Sequence, residues 1–178
     1  MLRYDPYIHH RRSIRLQGYD YSQQGAYFLT LCTQHQECLF GEIHDGVMHL
    51  NVLGEIVQAE WQKSSQIRKE VELGEFVVMP NHFHAIVLIT RRGDRRSPIP
   101  NAPAIPKGPE SASISALVAG FKSSVTKRIN RLRENLEMPV WQRNYWEHII
   151  RDERSMSELN AYIINNPARW KEDSLYEK

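Results

Sequence analysis

Cysteine is scarce in this chain. Cys32 and Cys38 are the two present, too few and too poorly spaced for a disulfide framework or a zinc site. Long apolar runs are missing as well: nothing approaches the ~20 residues that span a bilayer, and the opening Met-Leu-Arg-Tyr-Asp-Pro lacks the apolar core of a signal peptide. Neither sign of charge dominates, since 23 Lys and Arg face 21 Asp and Glu for a net charge of +2. No internal repeat appears, which sets repeat architectures aside. These absences predict a protein of a reducing, cytoplasmic setting with no membrane association.

What is present is ordinary in amount and uneven in placement. With 178 residues and a 41% hydrophobic fraction, the chain is long enough for one domain with a real core and not for two domains. Arg11, Arg12 and Arg15 crowd the start, Arg91, Arg92, Arg95 and Arg96 sit mid-chain, and Lys122, Lys127, Arg128, Arg131 and Arg133 share a later segment. Each cluster alone reads as a solvated face; together, inside a nearly neutral protein, they suit a polyanion bound on one side. Five of nine prolines fall between Arg91 and Ser111. The organisation read from this is a basic arm over 1–24, one domain over 25–170 interrupted by an extended loop at 91–112, and a tail over 171–178.

The most informative stretch runs from Phe76 to Ile89, where two apolar runs flank Pro80-Asn81. That pattern predicts a hairpin of two buried strands, the second opened by His82 and His84. Side chains alternate across a strand, so the two imidazoles share a face with Ile86 and Leu88, while Phe83, Ala85, Val87 and Ile89 face the other way. Two rings so placed are either hydrogen-bonded core residues or a two-pronged metal clamp, and the spacing alone leaves both open.

Around this hairpin the other elements follow from periodicity. Tyr27–Thr33 reads as a strand, and Cys38–Ile43 with Val47–Leu50 as a hairpin around Asp45-Gly46. A helix is expected after Asn51, carrying Leu53, Ile56, Val57 and Trp61, and a longer one carries Ile114, Leu117, Val118, Phe121, Val125, Ile129 and Leu132. Val140–Ile150 is expected to be extended, with Trp141, Tyr145 and Trp146 as core or as platforms for unstacked bases. A last helix is expected from a capping box at Ser155-Met156-Ser157-Glu158 up to Pro167, with Tyr162 and Asn166 on one face. The order contains a β-α-β-β-α-β unit, so the fold class is α+β and ferredoxin-like, an antiparallel sheet with helices on one face and an added hairpin and C-terminal helix.

Three motifs in this order carry a resemblance: Met-Pro-Asn-His82-Phe-His84, the run Trp-Gln-Arg-Asn-Tyr-Trp-Glu-His-Ile-Ile-Arg ending at Arg151, and Tyr162-Ile-Ile-Asn-Asn166-Pro. From about Arg15 to Trp170 the chain resembles the REP-associated tyrosine transposases, within the wider single-strand nucleases and transposases that pair a His-hydrophobic-His motif with a nucleophilic tyrosine. The resemblance implies that Tyr162 is the catalytic nucleophile and that His82, His84 and Asn166 ligate Mg²⁺ or Mn²⁺, whereas imidazoles by themselves would favour zinc. It implies cleavage and strand transfer of single-stranded DNA at a hairpin, through a 5′-phosphotyrosine. Arg11, Arg12, Arg15, Lys122, Lys127, Arg131 and Arg143 would hold the DNA. A homodimer that exchanges the tyrosine helix, as in related transposases of small insertion sequences, stays open at this point. The competing expectation is a non-catalytic ferredoxin-like module that binds nucleic acid with the same sheet face.

Overall fold

The computed structural model describes residues 23–90, 113–135 and 137–176. The proline-rich loop at 91–112 and nearly all of the basic arm, including Arg11, Arg12 and Arg15, lie outside the described residues. Strand β1 (Gly25–Cys32) is followed by the hairpin β2 (Gly41–His44) and β3 (Val47–Leu50), helix α1 (Val52–Ile67), the paired strands β4 (Val71–Val78) and β5 (His82–Ile89), helix α2 (Ile114–Leu132), strand β6 (Trp146–Ile150) and helix α3 (Glu153–Asn165). A short 3₁₀ segment, Pro167–Glu172, comes after α3.

Four strands form one sheet in the order β4-β5-β1-β6, all neighbours antiparallel, and β2-β3 is a separate ribbon. The mixed α+β class follows, with β5 and β1 at the centre. Asp45 and Gly46, at φ 51° and 76°, both take the left-handed conformation that a tight hairpin turn demands.

The alternation along β5 sorts its residues onto two cores. Phe83, Ala85, Val87 and Ile89 join Trp61 of α1 and Leu117, Phe121 and Val125 of α2 in the main core. On the opposite face Ile86 packs with Phe28, Ile150 and Ile163, so among the described α-helices α3 covers that side. Asn51 caps α1, its side chain accepting from the N–H groups of Leu53 and Gly54 at 2.9 and 3.0 Å.

Two local expectations need correction. Helix α3 starts at Glu153, not inside the Ser155 motif: Asp152 is the cap, and its carboxylate accepts from the Ser155 N–H at 2.7 Å. Glu158, the expected partner in a capping box, pairs with Arg154 instead. The expected strand over 140–150 is shortened to β6, because the carbonyls of Gln142 and Asn144 accept from the Lys122 ammonium rather than from a neighbouring strand. Trp141 keeps a single bridge to Thr33 and is buried in the main core, while Trp146 is 43% exposed on the α3 side.

Candidate active site

The rigid part of the site is the start of β5. His82 and His84 are 0% and 3% exposed, and their ring centroids lie 4.5 Å apart. Each ring is held from behind by its Nδ1. His82 Nδ1 lies 2.8 Å from Asn81 Oδ1, and His84 Nδ1 lies 2.8 Å from the hydroxyl of Thr30, its directly opposite partner on β1. With both Nδ1 atoms engaged, the two Nε2 atoms carry what the site offers.

Helix α3 brings the other half. The Tyr162 hydroxyl lies 3.3 Å from His84 Nε2 in the same chain, and Asn166, one turn on, is buried with its Nδ2 donating to Asp173 Oδ2 at 2.9 Å. Tyr162 reaches that same carboxylate oxygen at 3.3 Å. Asp173 is the participant that sequence reasoning missed. It follows the 3₁₀ segment, in residues assigned to a tail, and no motif or periodicity marks it. Asn81 was read as a turn residue, yet it is fully buried, orients His82 and donates to the Leu175 carbonyl at 2.8 Å, so it also ties down the strand of chain that carries Asp173.

Electrostatics follow from burial. Desolvation drives His82 down to about 4 and, with His82 beside it, His84 to about 3, so both rings are neutral near pH 7 and present lone pairs. Burial would raise the Asp173 carboxyl, but the Leu175 N–H, the Asn166 amide and the two histidines outweigh it and hold it below its usual range. Burial and the neighbouring Asp173 push the Tyr162 phenol up to about 12.

Two buried polar atoms in this cluster, His82 Nε2 and Asn166 Oδ1, have no hydrogen-bond partner among the described residues. Buried polar atoms without a partner are costly, and these converge where ligand atoms of His82, His84 and Asp173 lie within 4.8 Å of one another. A cation fits such a donor set. Two imidazoles with an amide and a carboxylate oxygen are also more hospitable to a hard ion than two imidazoles alone.

Of the expected DNA-binding residues, Lys127, Arg131 and Arg143 are exposed. Lys127 and Arg143 line one cleft of about 530 Å³ between α2 and the 139–143 segment. Lys122 differs from the expectation of a free phosphate-tracking side chain: its ammonium donates to Gln142 O and Asn144 O at 2.8 and 2.9 Å, and burial lowers its pKa to about 8.

No family model matches the chain. An uncharacterized protein of Haemophilus influenzae is 43% identical over 178 residues, covering 98% of this chain and 97% of its own length. A second protein of that organism, described as a "Putative REP-associated tyrosine transposase", is 24% identical over 96 residues, 52% of this chain and 47% of that one. A solved REP-associated tyrosine transposase bound to a REP hairpin shares the fold, with a TM-score of 0.60 at 20% identity over 89% of this chain and 74% of that one. The fold is thus that of a REP-associated tyrosine transposase. The chain belongs to one family with the Haemophilus influenzae protein that it matches over nearly the whole of both lengths.

Proposed function

We propose that this protein cleaves and rejoins single-stranded DNA at REP-type hairpins, with Tyr162 as nucleophile and Mg²⁺ or Mn²⁺ held by His82, His84, Asn166 and Asp173. The observation that carries this reading is the meeting, within one chain, of the Tyr162 hydroxyl and His84 Nε2 at 3.3 Å beside two unpartnered buried ligand atoms. A divalent ion bound there supplies charge withdrawal from the non-bridging phosphate oxygens and fixes the orientation of the phosphate.

The chain's own residues account for the rest of the chemistry. Tyr162 Oη forms a bond to phosphorus as the bond from phosphorus to the 3′-oxygen breaks, leaving a 3′-hydroxyl and a 5′-phosphotyrosine. Because the phenol is protonated at neutral pH, its proton must leave during attack, with the ionised Asp173 Oδ2 at 3.3 Å as its acceptor, and the departing 3′-oxygen takes up a proton from water. The number of phosphoester bonds is unchanged, so a 3′-hydroxyl from another end can reverse the step without ATP. Lys127 and Arg143 in their shared cleft, with Arg131 nearby on α2, would neutralise backbone phosphates, contacts that position more than they specify. Arg11, Arg12 and Arg15 are proposed to extend that contact to the hairpin stem. Since Tyr162 meets its own histidines, a homodimer is not needed to complete the cluster. A cytoplasmic location accords with such a substrate.

The test is a covalent adduct. Hairpin oligonucleotides incubated with protein and Mn²⁺ should give a detergent-resistant protein-DNA species that chelator prevents. Tyr162→Phe should abolish it and leave hairpin affinity within about twofold. An adduct that persists in Tyr162→Phe, or chelator-insensitive binding with no adduct on any hairpin, refutes the proposal.

A further inference from the structure

Tyr162 stands between two clefts of different chemistry. One, of about 610 Å³, is polar and bounded by Glu158, Asn165, Arg169, Glu172 and Asp173. The other, of about 540 Å³, lies against β1 and β6 and is walled by Phe28, Trp146 and Tyr162, with Gln142 and Asn144 at its rim. We infer that this second cleft seats one unstacked base next to the scissile phosphate and that the Gln142 and Asn144 amides read its edge. The inference rests on the strand-cleavage reading of Tyr162 and adds to it a substrate contact on one flank of the cut.

Three features carry it. First, the aromatic walls are fixed while staying accessible. Buried Phe28 meets Trp146 edge-on at 5.8 Å and Tyr162 at 6.0 Å, and Trp146 stacks on His148 with planes 5° apart. Trp146 and Tyr162 nonetheless stay 43% and 41% exposed. A held, half-exposed aromatic beside a phosphate-reacting group is a platform for a nucleobase, since every base has a π-face. Second, the side-chain amides of Gln142 and Asn144 have no hydrogen-bond partner among the described residues, and each offers both a donor and an acceptor, the combination that pairs with a base edge.

Third, the rim is pre-set. Lys122 Nζ donates to both Gln142 O and Asn144 O, and the Gln142 N–H donates to Cys32 O at 3.0 Å. The lysine that sequence alone assigns to phosphate is therefore a positioning residue for the reading segment. Among the described residues the polar cleft across Tyr162 is lined by no aromatic besides Tyr162 itself, so the Phe28 and Trp146 walls make recognition of the flanking base one-sided.

The experiment uses the full chain and a hairpin oligonucleotide whose cut has been mapped from the adduct. Nucleotides on either side of the cut are replaced singly by an abasic residue. In the wild type, the abasic change should slow adduct formation about tenfold at one neighbouring position and little at the other. Trp146→Ala should lose about the same with intact DNA and lose nothing more from the abasic change, while Trp146→Phe keeps most activity. Comparing two DNAs on one variant cancels any loss of folded protein. Asn144→Ala and Gln142→Ala should flatten the preference among the four bases at that position alone. An abasic penalty under about twofold on both sides, or one equal in wild type and Trp146→Ala, overturns the inference while the adduct itself keeps the cleavage reading intact. Failure of the wild type to form an adduct on any hairpin overturns both.

Discussion

At the scale of single residues, the site depends on which ring nitrogen of each histidine is left over. Thr30 and Asn81 engage the Nδ1 atoms and thereby aim both Nε2 atoms into the cluster. Outer partners of this kind set the tautomer and hold the ring, and their loss weakens metal binding by about 10- to 100-fold in comparable sites. Thr30→Val and Asn81→Ala are expected to weaken Mn²⁺ binding within that range, measured by calorimetric titration, with Asn81→Ala the worse because it also frees the Leu175 segment that follows Asp173. Unaltered affinity in both would mean that the rings are oriented by packing alone. Nothing local in the sequence marks Thr30 for this role. It becomes a partner of His84 because the register of β1 on β5 sets the two opposite one another.

At the scale of elements, α2 shows how a basic stripe divides once folded. Lys122 turns to the 142–144 carbonyls, Lys127 and Arg131 stay exposed, and Arg128 spans to α1, where its Nη1 meets Glu60 Oε1 at 2.7 Å. Glu60 is 7% exposed and also accepts from the Ser124 hydroxyl. Burial alone would raise its carboxyl, but the bonds from Ser124 and Arg128 and the Arg128 charge outweigh it, so its pKa is held below the ordinary value. A depressed carboxyl contributes stability that is present above its unfolded pKa and disappears as pH falls through the folded one. Glu60→Gln is therefore expected to cost about 1–3 kcal/mol at neutral pH, with the gap to wild type closing below about pH 4. Urea unfolding of both proteins across that range checks it, and a gap independent of pH would show the loss to be one of packing.

At the scale of the whole molecule, the site is closed by two distant parts of the chain: the mouth of β5, and the C-terminal run from one face of α3 to the turn after the 3₁₀ segment. Binding a cation across them stabilises the folded state by mass action, about 2.7 kcal/mol at a hundredfold excess over Kd. For a chain of this size that corresponds to a rise in Tm of roughly 5–10 °C. Mn²⁺ should produce this shift in the wild type, chelator should reverse it, and His82→Ala and His84→Ala should abolish it. A shift produced by zinc alone would contradict the assignment of Mg²⁺ or Mn²⁺. Among the described residues no helix is long and apolar enough to cross a membrane.

By itself the sequence determined which elements form and the two faces of β5, though not the start of α3 or the length of β6, because alternation along a strand and three- and four-residue steps along a helix are local regularities. It also placed Tyr162 and Asn166 on one helical face. Only the tertiary structure decided that this face meets the histidines of its own chain, that Asp173 joins them, and that Lys122 serves the backbone instead of an open surface. Those outcomes depend on contacts between residues far apart in the chain. A carboxylate after a 3₁₀ segment looks like any other charged terminus until the fold carries it to the mouth of the sheet. A lysine in a basic stripe likewise looks solvated until two carbonyls of a segment about twenty residues away accept from its ammonium.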